Sequence, residues 1–356
     1  MRRLIALIFL SSSLLLVAIF LIKNTRPFRR EPQETDYQSD LGEVFNILII
    51  GNDARLLFKK LPDGRVVKEL EPRGRSDIIN IAHINLKKGI VNLINIPRDM
   101  LVHIPGYTKA ESDTDFCHMD KINHSYFFGQ EKLLIAVLQR NFNIPIHRYL
   151  TINLSSFQEI FSFLLPYLKN LTLRNRPIRN AQEARYLLRS RKIWKRDDID
   201  RGRNSLIFIK LATENLWGLL SKPIFRANLV KGVMKIIGKD TDLTFDDIMY
   251  ILSHLKQNGF KPSSLQMATL IGFAAPVYLH RYQEVLSCYL PVYPEIKKQI
   301  AHFIFESEEK AKSYLEDEPF HLPSYLLRTY YPIDSPLDSV KTNLENPPFR
   351  SQTQEF

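Results

Sequence analysis

The chain has few of the residues on which disulfide-rich and zinc-binding proteins depend. Its 356 residues include two cysteines and nine histidines, and the histidines lack the spacing of metal ligands. A disulfide scaffold and a cysteine-rich zinc site are therefore excluded. The sequence also contains no Walker loop and no nucleophile elbow, which excludes the enzyme classes built on those two motifs.

Only one stretch is long and apolar enough to cross a membrane. Residues 4–22 carry no charge, and at about 1.5 Å per residue a helix of this length spans roughly 28 Å, close to the thickness of a bilayer core. We expect residues 1–22 to be an uncleaved membrane anchor, with a cleaved signal peptide as the alternative. Basic residues on both sides leave the orientation open: charge alone favours a cytoplasmic C-terminal side, whereas the motifs described below favour the outside.

The rest of the composition is that of a folded protein with an excess of positive charge. Hydrophobic residues make up 45% and charged residues 24%, and the net charge is +11, which excludes wholesale disorder and predicts an anionic partner. Residues 169–203 hold twelve Lys and Arg against four Asp and Glu. Few aromatic residues accompany these charges, so a nucleic-acid partner is disfavoured against a phosphate or a membrane surface.

Strand-like and helix-like segments alternate along the chain, which predicts an α/β domain over residues 45–305. Apolar runs predict strands at 45–50, 78–85, 90–96, 149–154, 264–271 and 277–282, and a hairpin at 55–72. Periodicity and capping residues predict helices at 132–141, 181–188, 203–220, 245–255 and 294–305. Residues 23–44 are expected to be a linker. Residues 306–356, with six of the twenty prolines, are expected to be a loosely packed extension.

Two carboxylates lie where strands are predicted to end or begin. Asp53 follows the strand that runs into Gly51, and Asp77 opens the next long strand after Arg75. Because α/β sheets place ligands outside the carboxyl ends of their strands, we expect the two aspartates to face one site. Mg²⁺ prefers one or two carboxylates together with phosphate oxygens, so the pair predicts a magnesium site. The alternatives are a turn cap and a surface ion pair.

Several basic residues are expected at the same site. The candidates are Arg75, Arg98, Lys121, Arg189, Arg191 and Arg203. An extended conformation at 189–191 would place both of its arginines on one face, and Arg203 would open a long helix whose free N–H groups favour an anion. Arginine offers a planar fork of donors that suits phosphate oxygens. The set as a whole predicts a pyrophosphate held by arginines and Mg²⁺.

The order of these motifs resembles the LytR-CpsA-Psr family. The matching segments are Gly51-x-Asp53-x-Arg55, Arg75-Ser76-Asp77, Ile96-Pro97-Arg98-Asp99, Ile104-Pro105-Gly106, Asp120-Lys121-Ile122-Asn123-His124-x-Tyr126, Arg189-x-Arg191 and Asp200-x-Gly202-Arg203. The apolar stretch ahead of the domain also fits the family's plan. The resemblance implies a three-layer α/β/α sandwich with a central mixed sheet, preceded by one transmembrane helix, with the domain outside the cytoplasm.

The resemblance also implies an activity and its residues. Members of the family are phosphotransferases that move a glycopolymer from a polyprenyl-pyrophosphate carrier to a cell-wall sugar hydroxyl, usually on peptidoglycan. By this resemblance Asp53 and Asp77 would hold Mg²⁺, the basic candidates would grip the pyrophosphate, and a hydrophobic cleft lined by 157–168 and 206–220 would take the lipid. The implied catalytic set is Arg98, Asp99, Arg189, Arg191 and Arg203. Asp53 and Asp99 are the candidates for activating the acceptor hydroxyl.

Departures from the family pattern keep other interpretations open. The Arg and Gln that usually follow the Gly-Arg pair by one helical turn are Leu206 and Ile207 here. Their loss favours a second hypothesis, a protein that binds polyprenyl-pyrophosphate lipids without transferring them. A membrane-tethered nucleic-acid binder would explain the charge but not the two carboxylates. Cys117 and Cys288 form either a disulfide or two free thiols.

Overall fold

The computed structural model describes residues 39–54, 56–60, 66–70, 74–104, 119–190, 197–279 and 281–316. The predicted anchor at 1–22 and most of the predicted linker lie outside these ranges, as do Arg55, Cys117, Arg191 and residues 317–356. Among the described helices none is both long enough and apolar enough to cross a membrane.

Strands and helices alternate through these ranges. The strands are β1 (Val44–Asn52), β2 (Leu56–Lys60), β3 (Val66–Leu70), β4 (Ser76–Asn85), β5 (Ile90–Asn95), β6 (Leu101–His103), β7 (Met119–Lys121), β8 (Arg148–Ile152), β9 (Thr172–Leu173), β10 (Arg176–Pro177), β11 (Gln266–Thr269), β12 (Gly272–Leu279) and β13 (Glu284–Pro291). The helices are α1 (Ile122–Phe142), α2 (Leu154–Leu164), α3 (Ala181–Arg189), α4 (Asp197–Leu220), α5 (Pro223–Ile237), α6 (Phe245–Gln257), α7 (Tyr293–Phe303) and α8 (Glu308–Glu316).

Five strands form the central sheet, in the order β11-β5-β4-β1-β8. β4 is antiparallel to both β1 and β5, whereas β8 runs parallel to β1 and β11 parallel to β5, so the sheet is mixed. As a result the C-terminal ends of β1, β5, β8 and β11 meet the start of β4 at one edge of the sheet, here called the carboxyl edge. Three predicted site residues, Asp53, Asp77 and Arg98, lie at this edge.

The side chains of the sheet alternate between two buried layers, as the period of two in a strand requires. In β1, Leu48 and Ile50 face a core that includes residues of α1 and α7. Phe45 and Ile47 face the opposite core, which includes Leu206 of α4 and residues of α6. Helices therefore cover both faces of a mixed sheet, which confirms the predicted α/β fold.

The predicted strands at 45–50, 78–85 and 90–96 are confirmed, and β2 pairs with β3 in the predicted hairpin. Two predicted helix caps are confirmed: Asn180 accepts a hydrogen bond from the backbone of Glu183, and Thr244 accepts from the Asp247 backbone while its own N–H donates to the Asp247 carboxylate. The helix after β8 is capped by Asn153, not by Ser155 or Ser156 as the sequence suggested.

Other predictions need correction. The strand predicted at 277–282 is instead the pair β12 and β13, with a turn between them. Helix α4 begins at Asp197 rather than at Arg203, and α5 was not predicted at all.

The C-terminal extension does not begin at residue 306. Glu306 binds His83, Asn85 and Lys88 at the end of β4 and the turn after it, at 2.6–2.9 Å. Tyr314 of α8 is 3% exposed, and its hydroxyl donates to the carbonyl of Phe142 at 2.9 Å. Burial of this ring and the ion pairs of Glu306 make residues 306–316 part of the domain, against the prediction of a loosely packed segment.

Candidate functional site

The carboxyl edge of the sheet brings the predicted carboxylates to one cavity of about 620 Å³. Asp53 lines it from the end of β1, Asp77 from the start of β4 and Arg98 from the loop after β5. On the opposite side, residues of α2, α3 and α4 complete the lining, namely Gln158, Gln182, Arg185, Tyr186, Arg189, Ser190 and Arg201. Four arginines against two aspartates make this cavity suited to an anion.

Asp77 is the centre of the ion pairs in the cavity. Its Oδ1 accepts from Nη1 of Arg98 at 2.7 Å, and its Oδ2 accepts from Nη1 of Arg201 at 3.3 Å. The three side chains are 13% exposed or less, so these pairs are screened only weakly by solvent. One carboxylate thus holds two guanidinium groups side by side, at a spacing that also suits two oxygens of a phosphate group.

Arg201 takes the place that was predicted for Arg203. Arg203 is exposed and does not line the cavity, whereas Arg201 is 3% exposed and does. The reason lies at Gly202, where an added Cβ would come within 2.1 Å of the Asn95 side-chain oxygen, so that α4 lies directly on β5. Contact at Gly202 fixes the rotation of the helix, which turns Arg201 to the carboxyl edge and Arg203 to solvent.

The two departures from the family pattern, Leu206 and Ile207, lie farther along α4 and do not line the cavity. Leu206 is 1% exposed in the core beneath the sheet, where a basic side chain would have no water. Asn204 is fully buried, and neither its Oδ1 nor its Nδ2 has a hydrogen-bond partner among the described residues.

Helix α3 supplies one wall of the cavity. Gln182, Arg185, Tyr186 and Arg189 recur at intervals of three and four residues, which places them on one helical face. Arg189 is the last residue of α3, so the predicted extended conformation at 189–191 does not hold at its first residue. Arg191 lies outside the described residues. The helical spacing of Arg185 and Arg189 was the signal that would have identified Arg185 from the sequence.

Asp53 is held in place by the neighbouring strand end. Its Oδ1 accepts from the backbone N–H of Arg75 at 2.7 Å, and its own N–H donates to the Arg75 carbonyl at 3.1 Å. The register between β1 and β4 shifts at Gly51 and Asn52, and such a bulge commonly re-aims the side chains beside a functional site. The side chain of Arg75 is not among those that line the cavity.

Asp99 and Lys121 lie beside the cavity without lining it. Oδ1 of Asp99 is 3.3 Å from Nζ of Lys121, and its Oδ2 is 3.5 Å from Nε of Arg98. Asp99 thus bridges two predicted phosphate ligands. Of the two candidates for activating a hydroxyl, Asp53 lines the cavity and Asp99 does not.

A buried polar cluster fixes the end of β7, which carries Lys121. Asp120 accepts a hydrogen bond from the Lys121 backbone at 2.7 Å, and its carboxylate also binds Nδ1 of His124 at 2.7 Å and the hydroxyl of Tyr282 at 2.9 Å. Burial, followed by the charge of Asp120, raises the pKa of Tyr282. The hydroxyl therefore stays protonated and donates.

The donor set of the cavity fits Mg²⁺. Each oxygen of Asp77 accepts one arginine N–H and keeps a second lone pair, and Oδ2 of Asp53 has no hydrogen-bond partner among the described residues. Mg²⁺ is usually held by one or two carboxylates, with water and phosphate oxygens as its other ligands. No cluster of three or more metal-binding side chains occurs in the described part of the chain, so a zinc-type centre has no support there.

Cys288 lies away from this chemistry. It is a free, buried thiol in β13, and burial raises its pKa to about 12. Such a thiol is protonated and unreactive at neutral pH. Its proposed disulfide partner, Cys117, lies outside the described residues.

Known proteins resemble this chain in sequence and in fold. Residues 22–165 match the model of the LytR_cpsA_psr family. The polyisoprenyl-teichoic acid–peptidoglycan teichoic acid transferase TagU of Enterococcus faecalis is 33% identical over 118 residues, covering 33% of this chain and 32% of that protein. The TagU of Bacillus licheniformis is 26% identical over 232 residues, covering 61% and 66%.

A solved structure extends the similarity of fold to most of the chain. The crystal structure of TagV from B. subtilis superposes with a TM-score of 0.53 at 16% identity, covering 78% of this chain and 99% of the other. The chain spans about a third of the length of the first curated relatives that it matches. The family match covers the motifs that carry Asp53, Asp77, Arg98 and Lys121. Over residues 22–165, this chain is similar to the LytR-CpsA-Psr family.

Proposed function

We propose that this protein is a phosphotransferase that moves a glycopolymer from a polyprenyl-pyrophosphate carrier to a sugar hydroxyl of the cell wall, on peptidoglycan. The observation that carries the proposal is the cavity in which Asp53 and Asp77 face Arg98, Arg185, Arg189 and Arg201. The match to the LytR-CpsA-Psr family supports it, as do relatives that are named as transferases of teichoic acid to peptidoglycan.

In this reaction the acceptor oxygen forms a bond to the phosphorus next to the sugar, and the bond from that phosphorus to the bridging oxygen breaks. The glycopolymer phosphate remains on the acceptor, polyprenyl phosphate leaves, and the hydroxyl proton passes to a carboxylate. Phosphoryl transfer of this kind depends mainly on positioning and on charge stabilisation. Arg98 and Arg201, aligned by Asp77, would bind the phosphate oxygens that gain charge.

Mg²⁺ bound by Asp53 and Asp77 would neutralise charge on the pyrophosphate. The arginines of α3 would hold the outer phosphate, and Asp53, which lines the cavity, is the nearer candidate for the proton acceptor. The lipid chain would pass between α2 and α4, where Phe157 and Phe208 are partly buried with ring centroids 5.8 Å apart. An anchor at residues 4–22 would hold the domain at the outer face of the membrane.

A second candidate function is lipid binding without transfer. It is favoured by Leu206 and Ile207, which stand where the resemblance to the family implies an Arg and a Gln. It is disfavoured by the retention of both carboxylates and of the arginines around Asp77.

The experiment is an assay of polyprenyl phosphate release by the full chain in detergent, given a short polyprenyl-pyrophosphate sugar, an acceptor glycan and Mg²⁺. Arg201→Ala should lower the rate by about a hundredfold or more, because charge stabilisation in such sites has this magnitude. Arg203→Ala is the matched control, on the same helix and two residues away, and should keep the wild-type rate.

Three outcomes separate the hypotheses. Mg²⁺-dependent release that is lost in Arg201→Ala alone supports the transferase. Tight binding of the lipid by the wild type without release supports the binding protein. Equal losses in Arg201→Ala and Arg203→Ala would show that the cavity is not the reacting site.

A further inference from the structure

Helix α1 contains a backbone break that its sequence does not require. Gly129 has φ −142° and ψ 18°, and Gln130 has φ 53° and ψ −147°, so the helix stops and restarts between its two halves. The conformation of Gln130 belongs to a region that is populated almost only by glycine, and a residue there costs of the order of a few kcal/mol. Strain of this kind persists where surrounding contacts impose it. Here those contacts begin at Glu131, the residue after Gln130.

The second half of the helix begins at Glu131, whose side chain reaches back to Tyr126 in the first half. Its Oε1 accepts from the Tyr126 hydroxyl at 3.2 Å and from the Thr151 hydroxyl at 2.9 Å. In an unbroken helix residues 126 and 131 would lie about 140° apart around the axis, and their side chains would not meet. The break is therefore what lets this carboxylate reach the tyrosine.

The chain of hydrogen bonds continues from Tyr126 to the turn that carries Asp53. The Tyr126 hydroxyl accepts from Nδ2 of Asn52 at 3.1 Å, and Oδ1 of the same amide accepts from the backbone N–H of Ala54 at 3.2 Å. The side chain of Asn52 thus links Tyr126 to the backbone of Ala54, the residue that follows Asp53. Its amide has one orientation available, because the oxygen is used by Ala54 and the nitrogen by Tyr126.

Burial makes this connection specific. Tyr126 is 7% exposed, so water competes little for its hydroxyl. Burial raises its pKa to about 12, which keeps the hydroxyl protonated and able to donate to Glu131 while it accepts from Asn52. Gly74 packs directly against the backbone of Ala54, since an added Cβ at residue 74 would lie 2.5 Å from the Ala54 nitrogen.

We propose that Glu131 is a positioning residue for Asp53, acting through Tyr126 and Asn52, and that the break at Gln130 exists to place it. The proposal rests on the proposed function, in which Asp53 is a metal ligand. Outer partners of metal ligands commonly change metal affinity or activity by about 10- to 100-fold when they are removed. Glu131 has no contact with the cavity itself and would affect the reaction only through this chain.

The test compares Tyr126→Phe and Glu131→Gln with a matched control in the full chain. Tyr314→Phe is the control, because it also removes a buried tyrosine hydroxyl with one short hydrogen bond but lies outside the cavity. Mn²⁺ is the probe, and its binding is measured by the loss of the free-ion EPR signal without substrate. We expect about tenfold weaker Mn²⁺ binding in Tyr126→Phe, a smaller weakening in Glu131→Gln, which keeps an accepting oxygen, and none in Tyr314→Phe.

The activity assay supplies the second measurement. The Mg²⁺ concentration for half-maximal rate should rise with the loss of Mn²⁺ affinity, while KM for the lipid substrate stays within about twofold of the wild type. Equal Mn²⁺ affinity in Tyr126→Phe and Tyr314→Phe, with an active wild type, would overturn the positioning role. An inactive wild type that nevertheless shows the Mn²⁺ difference would overturn the proposed reaction and leave the positioning role standing.

Discussion

At the scale of single residues, Asp77 decides the charge balance of the cavity. Its carboxylate binds Arg98 and Arg201 at the same time, so in the absence of a ligand it occupies the donors that a phosphate would use. Any anion that enters must compete with this carboxylate. Removing the charge of Asp77 should therefore strengthen the binding of an anion while it weakens the fold.

We predict that Asp77→Asn lowers the free energy of unfolding by about 3 kcal/mol, since it removes the charged partner that two buried guanidinium groups share. Inorganic pyrophosphate without divalent cations should then raise the melting temperature of the variant by more than it raises that of the wild type. Thermal unfolding monitored by circular dichroism measures both effects. Asp246→Asn, an exposed carboxylate of α6, is the control. A pyrophosphate effect no larger than in the wild type would contradict the competition.

Residue identities were predictable from the sequence where a strand end fixed the position. Asp53, Asp77 and Arg98 all follow from apolar runs that the sheet aligns at one edge. Arg201 was missed in favour of Arg203, because the rotation of a helix on a sheet depends on a close contact, here between Gly202 and Asn95, that no periodicity reveals. A helix-face analysis of 182–189 would have found Arg185.

At the scale of elements, strands β1, β4 and β5 of the central sheet were predictable because most of their residues are buried. Helix α5 was not, since its apolar face is only partly buried and its first turn exposes Ile224 and Phe225. The break in α1 was also unpredictable. Helical periodicity continues through 132–141, and the contacts that impose the break come from Thr151 and Asn52, which are distant in sequence.

The break in α1 gives a prediction for stability. Gln130→Gly should raise the free energy of unfolding by about 1 kcal/mol, because glycine relieves a strain of about 1–3 kcal/mol while it adds about 0.5–1 kcal/mol of chain entropy to the unfolded state. Gln130→Ala keeps a Cβ and should show no such gain. Urea titration of the two variants and the wild type measures the difference. If glycine and alanine give the same midpoint, the backbone of residue 130 stores no strain.

At the scale of the whole molecule, the two ends of the domain meet at the turn between β4 and β5. The carbonyl of Glu43 accepts from the Leu86 backbone at 2.8 Å, and Glu306 binds Asn85 and Lys88. Burial alone would raise the pKa of Glu306, but hydrogen bonds from Lys88, His83 and Asn85 outweigh it and lower the pKa below 4.5. The glutamate thus joins the C-terminal segment to the sheet more strongly in its charged form.

This lowered pKa predicts an acid-sensitive contribution to stability. A carboxylate whose pKa is lower in the folded state contributes fully above its unfolded value, near 4.5, and loses its contribution as the pH falls through the folded value. We expect Glu306→Gln to be less stable than the wild type at pH 7, and the difference to shrink below about pH 4.5. Chemical denaturation at a series of pH values measures it. A difference that stays constant from pH 7 to pH 3 would show that the charge of Glu306 is not linked to folding.

The meeting of both ends at one turn has a consequence for how an anchored molecule reaches its substrate. The chain enters the sheet at Val44, and Asp53 lies at the other end of the nine-residue strand β1, about 30 Å away at about 3.3 Å per residue. In a molecule anchored through residues 4–22, as in the proposed function, the 16 residues from 23 to 38 would form a tether of at most about 55 Å, because Ser39 and Leu41 already pack on the domain. The length of this tether would set how far from the membrane surface the cavity can lie.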